Sequence, residues 1–429
     1  METVIYIGGA VLFFALVMVS VALHEIGHLV PAKAFGVKTT QYFVGFGKTL
    51  WSTRRGETEY GIKVLPLGGY VRMIGMMPPK PGRSMSSSTG MFSSIIDNAR
   101  NADADEIGPA DEGRLFYEKK SWQKLIVMAG GPAMNVVLAF LLLLLVAVTF
   151  GTVREQLRIA QVSECMIPAD RVEQTCQPGD APSPAAAAGI EAGDTIVSFN
   201  GTRLTDWDHL SELIRANVDR EAVIVVDRNG QQVTLRTHTA LTGVPAELDP
   251  SRTVQAGFLG VSPVVERVQE GPVEVVGDMG EMSQTIFQVL IRFPVRVFNV
   301  AADLVTGQPR DVNGPMSIVG ASRIAGEMAS TDQIPVSEKA AGLISTLGVV
   351  NLFFALFNLV PLLPLDGGHI AGALYEWLRR GVAKLFRRRD PGPFDVAKLM
   401  PVAYAVAIVV GLSGAVLIVA DIIDPVTLF

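Results

Sequence analysis

Four long apolar runs constrain the fold of this 429-residue chain more than any other feature. They cover roughly residues 4–30, 125–148, 340–361 and 401–419. A helix needs about 20 apolar residues to cross the roughly 30 Å hydrocarbon core of a bilayer. Charged residues make up only 18% of the chain, whereas soluble domains carry about 25%. The sequence therefore predicts a multi-pass α-helical membrane protein with about four transmembrane helices.

The first run has two interpretations, a cleaved signal peptide or a retained span. A signal peptide begins with basic residues and ends at a small-residue cleavage site. Here only Glu2 carries charge ahead of the run, and the run ends in the letters HEIGH at 24–28. We therefore expect a retained transmembrane helix over residues 1–30.

Lysine and arginine are distributed unevenly between the loops. They are concentrated after the first and third runs, at Lys33, Lys38, Lys48, Arg54, Arg55, Lys63, Arg72, Lys119, Lys120, Lys124, Arg379, Arg380, Lys384, Arg387, Arg388 and Arg389. Cytoplasmic loops are enriched in these residues. The sequence thus predicts a plasma-membrane protein with both termini and the 151–339 segment outside the cytoplasm. The sequence has no broad basic patch interleaved with aromatic residues, so we expect no nucleic-acid partner.

The segments between the runs differ in composition. Two stretches rich in aromatic and branched residues, Gln41–Gly47 and Glu59–Met73, predict a β-hairpin on the inner side. Residues 78–113 are dominated by Pro, Ser, Asn, Asp and Gly, which predicts a flexible insertion. The outer segment predicts one α+β domain, with an Asn-Gly turn after the strand Thr195–Phe199, further strands at 222–227, 232–237 and 258–261, and a helix at 207–217.

These predictions divide the chain into nine parts. They are transmembrane helix 1–30, β segment 31–77, flexible cytoplasmic insertion 78–113, transmembrane helix 124–150, outer domain 151–265, amphipathic linker 266–339, transmembrane helix 340–366, basic cytoplasmic loop 367–400 and transmembrane helix 401–420.

Cys165 and Cys176 are the only cysteines of the chain and lie in the outer segment. Two cysteines are too few for a disulfide scaffold or a cysteine-based zinc site. Outside the cytoplasm we expect them to pair with each other, and two free thiols are the alternative.

The HEIGH motif carries the most specific chemical signal. On a helix, His24 and His28 are one turn apart and face the same way, so that both imidazoles can hold one zinc ion. Glu25 then lies beside the metal and can act as the general base of a metalloprotease. A chance motif is the alternative, but ionisable residues at the end of a membrane span are costly unless they serve a site.

A catalytic zinc needs a third protein ligand. His209 and His238 lie in the outer segment and cannot reach the inner end of the first span. Asp366 and His369 lie on the correct side, after an apolar stretch broken by prolines, and residue types alone favour Asp366 only slightly. Asn358, eight residues before Asp366, could donate to an oxyanion or clamp a substrate, or could form an ordinary hydrogen bond between helices.

Taken together, these motifs resemble the bacterial site-2 protease family, the M50-type intramembrane zinc metalloproteases that regulate sigma factors. The resemblance runs nearly end to end apart from residues 78–113. It rests on HEIGH at 24–28, NLVPLLPLDGG at 358–368, GGPAMN at 130–135 and NGPMSIVG at 313–320. The stretch SPAAAAGIEAGDTIVSFNG at 183–201 resembles the core of the PDZ domain that the family carries outside the membrane.

The resemblance implies a role for each site residue. His24, His28 and Asp366 would bind one Zn²⁺, Glu25 would be the catalytic acid and base, and Asn358 would help to hold the substrate. The hairpin around Gly45, Phe46 and Gly47 would be a membrane-associated element that pairs with an unwound substrate strand. The PDZ-like domain would filter or dock substrates, which are typically anti-sigma factors first trimmed by an upstream site-1 protease.

Two hypotheses from other classes compete with an intramembrane protease. A transporter would show inverted repeats with paired broken helices, and only one span is broken by proline. A catalytically inactive, membrane-anchored PDZ scaffold would show an altered motif, whereas Glu25, His24, His28 and Asp366 are all present.

Overall fold

The computed structural model describes residues 2–78, 96, 107–167, 175–246, 249–308, 310–311 and 314–426. These residues form two compact units, one from residues 1–150 and 270–429 and one from Gly151–Gln269. The helices, in chain order, are α1 (Glu2–Ala34), α2 (Ser121–Thr149), α3 (Pro184–Ala188), α4 (Trp207–Ala216), α5 (Pro272–Thr306), α6 (Ile318–Ser330), α7 (Val336–Asn358), α8 (Asp366–Leu385) and α9 (Met400–Ile423).

Four helices of the described residues are long and apolar enough to cross a membrane. They are α1, α2, α7 and the segment Val396–Ile423 that contains α9. These helices agree with the four predicted spans, and the protein is a multi-pass membrane protein. Helix α1 continues four residues past the predicted end at 30, through Ala34.

Glycine permits a very close crossing of α1 and α2. A Cβ atom added to Gly27 would overlap the backbone of Gly130, and one added to Gly130 would overlap the backbone of Gly27. Small residues let membrane helices approach this closely without hydrophobic side chains between them. The crossing lies within the HEIGH motif of α1 and the GGPAMN motif of α2, and so it fixes the two motifs against each other.

The predicted third span and the loop after it are wrong in their boundaries. The span predicted at 340–366 is two elements, because α7 ends at Asn358 and α8 begins at Asp366. Pro361 and Pro364 interrupt helical hydrogen bonding between them, and the Leu363–Pro364 peptide bond is cis. The predicted loop at 367–400 is largely helix, because α8 extends to Leu385.

The predicted linker at 266–339 contains two helices. Buried Val275 and Met279 of α5 pack against α2 and α7, and buried Val297 and Val300 of the same helix pack against α9. Helix α6 packs against α1, where a Cβ on Gly9 would collide with the Ala329 side chain. The apolar positions of this amphipathic segment recur with helical spacing and pack within the membrane unit.

The inner segment forms a hairpin of two long strands, β1 (Thr39–Arg55) and β2 (Thr58–Met73). They pair antiparallel with several register shifts, so that Phe43 is matched with both Tyr70 and Gly61. Gly45 and Gly47 have φ values of +91° and +87°, which L side chains rarely adopt. The middle of the hairpin has large apolar side chains that are 45% to 67% exposed, namely Phe46, Leu50, Trp51, Val64, Leu65 and Leu67.

Most of the predicted insertion at 78–113 lies outside the described residues. Its last residues, 107–113, are described and include a 3₁₀ turn at Pro109–Asp111. Asp111 accepts hydrogen bonds from Lys38 Nζ at 2.7 Å and from the backbone N–H of Gly108 at 2.8 Å. Both bonds hold the pKa of Asp111 below its ordinary value. They tie the end of the insertion to the start of the hairpin.

The second unit is an α+β structure. Its main sheet has the strand order β10-β3-β4-β6-β7, with β5 beside β4, and β8 and β9 form a separate hairpin. The strands are β3 (Thr152–Val162), β4 (Thr195–Phe199), β5 (Thr202–Arg203), β6 (Glu221–Arg228), β7 (Gln231–His238), β8 (Ala240–Ala246), β9 (Asp249–Phe258) and β10 (Val261–Val268). The strand predicted at 258–261 is instead the bend between β9 and β10. Helix α4 covers a core that includes Ile196, Phe199, Leu210 and Ile224.

The second unit extends further than predicted and contains both cysteines. The unit ends at Gln269, four residues beyond the predicted 265. Cys165 and Cys176 are joined by a disulfide with a Cα–Cα distance of 5.8 Å. Both cysteines lie between β3 and α3 in the chain.

Candidate metal centre

Three side chains from two distant parts of the sequence converge in the membrane unit. The Nε2 atoms of His24 and His28 each lie 3.2 Å from Oδ2 of Asp366, and the two Nε2 atoms are 3.2 Å apart. Both histidines are buried. Among the described residues, these three form the group of His, Cys, Asp and Glu side chains able to hold a metal ion, with ligand atoms within 4.8 Å of one another.

The donor set fits zinc. Zinc accepts imidazole nitrogen and carboxylate oxygen at about 2.0–2.2 Å in a tetrahedral arrangement, which places neighbouring ligand atoms about 3.3–3.6 Å apart. The observed separations of 3.2 Å are close to that spacing. Three protein ligands leave one position open, as a catalytic site requires.

Helix geometry brings the ligands together. His24 and His28 are four residues apart on α1 and therefore share a face. Asp366 is the first residue of α8, immediately after the proline-broken segment. Gly367 and Gly368 make that position possible, because a Cβ on Gly367 would overlap the carbonyls of Leu359 and Val360.

The His28 ring is oriented by the backbone of α2. Its Nδ1 lies 2.8 Å from the carbonyl oxygen of Val127 and donates its hydrogen there, so that Nε2 presents a lone pair towards Asp366. Such contacts to the second ring nitrogen fix the tautomer and orientation of metal-ligating histidines. The Nδ1 atom of His24 is buried and has no hydrogen-bond partner among the described residues.

Gly131 packs directly against both histidine rings. A Cβ at this position would overlap Nε2 of His28 and would lie 2.7 Å from Nε2 of His24. The second glycine of GGPAMN is therefore part of the wall of the site. The sequence marked this motif without indicating that it touches the histidines, because the contact depends on how α1 and α2 cross.

The side chain of Glu25, on α1, faces the hairpin. A Cβ on Gly69 of β2 would be 3.0 Å from Cγ of Glu25, and the backbone amide of Val71 faces its carboxylate. The hydroxyl of Tyr42 in β1 donates to the carbonyl of Ala22 at 2.8 Å. The hairpin is thus held alongside α1, with Gly69–Val71 next to the candidate general base.

The other predicted site residues do not join the three converging side chains. Asn358 is the last residue of α7, and no hydrogen bond of the described residues joins it to the three converging side chains. Phe46 is 45% exposed and stacks on Tyr70 with ring centroids 6.1 Å apart. His369, the alternative third ligand, lies outside the converging group, and its Nδ1 is buried without a partner among the described residues.

A buried ion pair between α2 and α8 was not predicted from the sequence. Lys124 Nζ of α2 lies 2.9 Å from Glu376 of α8, and these side chains are 6% and 1% exposed. Glu376 also accepts hydrogen bonds from Ser121 Oγ and from the backbone N–H of Phe394, each at 3.0 Å. The pair joins the helix that orients His28 to the helix that begins with Asp366. In the sequence, Lys124 directly precedes the apolar run of the second span. This position was the available signal that the residue is buried, but it did not identify the partner.

Known proteins are similar to this chain over most of its length. The model of peptidase family M50 matches residues 12–388. The zinc metalloprotease Rip1 of Mycolicibacterium smegmatis is 34% identical over 98% of both chains, and Rip1 of Mycobacterium tuberculosis is 32% identical over 99% of both. The regulator of sigma-W protease RasP of Bacillus subtilis is 23% identical over 87% of this chain and 91% of its own. The chain therefore belongs to peptidase family M50 and is a zinc metalloprotease of the site-2 type.

Proposed function

We propose that the protein is an endopeptidase that hydrolyses peptide bonds within the transmembrane segments of other membrane proteins. The observation that carries this proposal is the position of the ligand cluster. Both histidines and Glu25 lie on α1, a helix able to cross a membrane, and not in the second unit. A metalloprotease with a membrane anchor alone would place its cluster outside the spans.

The proposed mechanism assigns a role to each site residue. His24, His28 and Asp366 would hold one zinc ion, which when bound supplies Lewis acidity to a peptide carbonyl and to water. Glu25 takes the proton of the attacking water and delivers it to the departing amine. Its position beside Gly69 places it at the boundary between the helices and the hairpin.

The substrate must be extended before it can be cut, because a helix hides its carbonyls in internal hydrogen bonds. The hairpin would bind the opened strand by β-augmentation, with the glycines at 45 and 47 allowing its backbone to bend near the site. Asn358, at the end of α7, would hold the substrate backbone. The exposed apolar side chains in the middle of the hairpin support its placement within the membrane.

The second unit would act as an extracytoplasmic PDZ-like domain that filters substrates by size. Its strand–turn–helix organisation around Thr195–Phe199 and α4 supports this assignment, and its disulfide is consistent with an oxidising compartment. The active site would then face the cytoplasmic side, with both termini outside. One relative is named a regulator of sigma-W protease, which supports anti-sigma factors, already trimmed by a site-1 protease, as the substrate class.

A purified-component assay tests the proposal. The protein in detergent is incubated with a single-span type II substrate that lacks most of its outer domain, and Glu25→Gln is compared with Glu2→Gln, a matched change on the same helix. We expect cleavage within the span by the parent and by Glu2→Gln, and none by Glu25→Gln although it retains zinc. Cleavage confined to residues outside the span would contradict the intramembrane assignment.

The inactive-scaffold alternative predicts a different result. A zinc-loaded parent that cuts none of a panel of trimmed single-span substrates, but binds them through the second unit, would favour the scaffold. The same substrates with intact outer domains test whether the second unit filters substrates by size. We expect trimming of these outer domains to raise the cleavage rate by at least about tenfold.

A further inference from the structure

Helix α8 continues away from the metal centre with an unusual distribution of side chains. Its buried face consists of small residues and one ion-paired carboxylate, at Gly372, Ala373, Glu376 and Ala383. The opposite face is apolar and open, with exposures of 46% at Leu374, 61% at Trp377, 62% at Leu378, 46% at Val382 and 78% at Leu385. A helix on a water-facing surface has the reverse arrangement, with its apolar stripe buried.

This helix is not a membrane span. Its 20 residues would be long enough, but Asp366, Glu376, Arg379 and Arg380 interrupt its apolar residues, and α8 is not among the apolar helices of the described residues that could cross a membrane. An apolar face on a charged helix of this kind is typical of a helix that lies in the plane of the membrane interface. Trp377 and Tyr375, both exposed, are residue types enriched at that depth.

The cations of this region fall into two groups. Arg379 donates to the carbonyl of Gly392 at 2.7 Å, and Arg380 contacts Glu376 at 3.4 Å. Four cations that follow in the chain are different. Their side chains are exposed and form no hydrogen bond or ion pair with any residue that the structure describes, and they are Lys384, Arg387, Arg388 and Arg389. The first group is held by contacts within the fold, whereas the second group is exposed and makes no such contact with the described residues.

We propose that the end of α8 is a docking site for anionic phospholipid headgroups, and we call Lys384 and Arg387–Arg389 the basic cluster. The apolar face enters the acyl boundary, and the basic cluster follows it directly in the chain and meets the headgroups at the same surface. Each cation near an anionic membrane surface adds attraction that falls off within a Debye length. The inference goes beyond the proteolytic function and does not depend on the orientation proposed above.

Trp377 provides the reporter for a direct test. The full protein is reconstituted in phosphatidylcholine vesicles that contain a trace of pyrene-labelled phosphatidylglycerol or of pyrene-labelled phosphatidylcholine. The energy transfer that comes from Trp377 is obtained by subtracting the transfer measured in Trp377→Phe from that measured in the parent. At low salt we expect at least about fivefold more transfer to the anionic probe than to the zwitterionic one. The ratio should fall towards one in high salt.

The variants separate this site from a general effect of charge. We expect Lys384, Arg387, Arg388 and Arg389 changed together to Gln to abolish the preference for the anionic probe. The same number of exposed arginines changed to Gln in the second unit, at Arg203, Arg215, Arg220 and Arg236, should preserve it. Equal transfer to both probes by the parent would overturn the proposal, even if the cluster variant failed to fold. A preference that persists in a folded cluster variant would overturn it as well.

Discussion

The imidazole of His28 and the backbone carbonyl of Val127 are joined by a 2.8 Å hydrogen bond, although 99 residues separate them in the chain. The bond exists because α1 and α2 cross at glycines. It couples the geometry of a metal ligand to the packing of two membrane helices. Substitutions that push these helices apart should therefore weaken metal binding more than they disturb the general base, Glu25.

Gly131→Ala is expected to weaken zinc binding. Alanine normally stabilises a helix relative to glycine, but here its methyl group would overlap the His28 ring. We expect the zinc affinity, measured by competition with a chelator, to fall by at least about tenfold, the range seen when ligand-orienting contacts are lost. Gly411→Ala is the control, because a Cβ there has nothing within 4 Å. Equal zinc affinity in both variants would show that the wall at Gly131 can yield.

The buried Lys124–Glu376 pair is expected to stabilise the membrane unit only as a pair. Glu376→Leu leaves the Lys124 ammonium buried without its partner, which should lower the free energy of unfolding by about 3–5 kcal/mol. Adding Lys124→Met should recover much of that loss, because apolar replacement of a buried pair is often neutral. Equilibrium unfolding in mixed micelles gives both values.

Arg323→Gln is the control for the preceding comparison. It breaks a 3.2 Å pair with Glu327 in which the side chains are 31% and 16% exposed. We expect a change below about 1 kcal/mol. If Glu376→Leu lowers the free energy of unfolding by no more than this control does, the buried pair does not stabilise the packing of α2 against α8.

The sequence was sufficient for the parts of the site that depend on local spacing. His24, Glu25 and His28 lie within one helical turn, so their relationship follows from the helix period alone. The resemblance identified Asp366, which residue types by themselves favoured only slightly over His369. The contacts of Val127 and Gly131 could not be predicted, because they depend on the angle and depth at which two helices cross.

The fold was predictable where hydrophobicity was continuous and less so where charge interrupted it. The four spans were found, but α8 was assigned to a loop because its arginines and lysine dominate the composition of 367–400. Its apolar residues recur with helical spacing and face outwards, which agrees with the proposed contact of this face with lipid. Helix α5 lies within the predicted amphipathic linker, and its place in the membrane unit could not be predicted because its partners on α2 and α9 are distant in sequence.

Gly45 is expected to be required for substrate processing and not for zinc binding. Its φ of +91° lies outside the region that asparagine tolerates well, and a Cβ there would lie 2.7 Å from the carbonyl oxygen of Leu65. We expect Gly45→Asn to reduce kcat/KM at least about tenfold with zinc content unchanged. Gly56→Asn is the control, since its φ of +63° is left-handed helical and a Cβ there has nothing within 4 Å. Similar kcat/KM values for the two variants would argue against a role for the hairpin near Gly45.

The buried carboxylate of Asp194 should make the stability of the second unit depend on pH. Arg228 donates two hydrogen bonds of 2.8 Å to Asp194, and they hold the pKa of its carboxyl below the ordinary value of 3.8. Because the pKa is lower in the folded state, the stabilisation is complete above about pH 4, the unfolded pKa, and is lost as the pH falls below it.

Asp194→Asn should therefore lower the free energy of opening of β4 and β6 by about 2 kcal/mol at pH 6, measured in the full-length protein by hydrogen exchange. It should also remove most of the loss of stability that the parent shows between pH 5 and pH 3. Glu191→Gln is the matched control, because Glu191 contacts the same arginine at 2.7 Å but is 66% exposed, and it should change the opening free energy by less than about 1 kcal/mol. An unchanged pH dependence in Asp194→Asn would assign the acid sensitivity of this unit to other carboxylates.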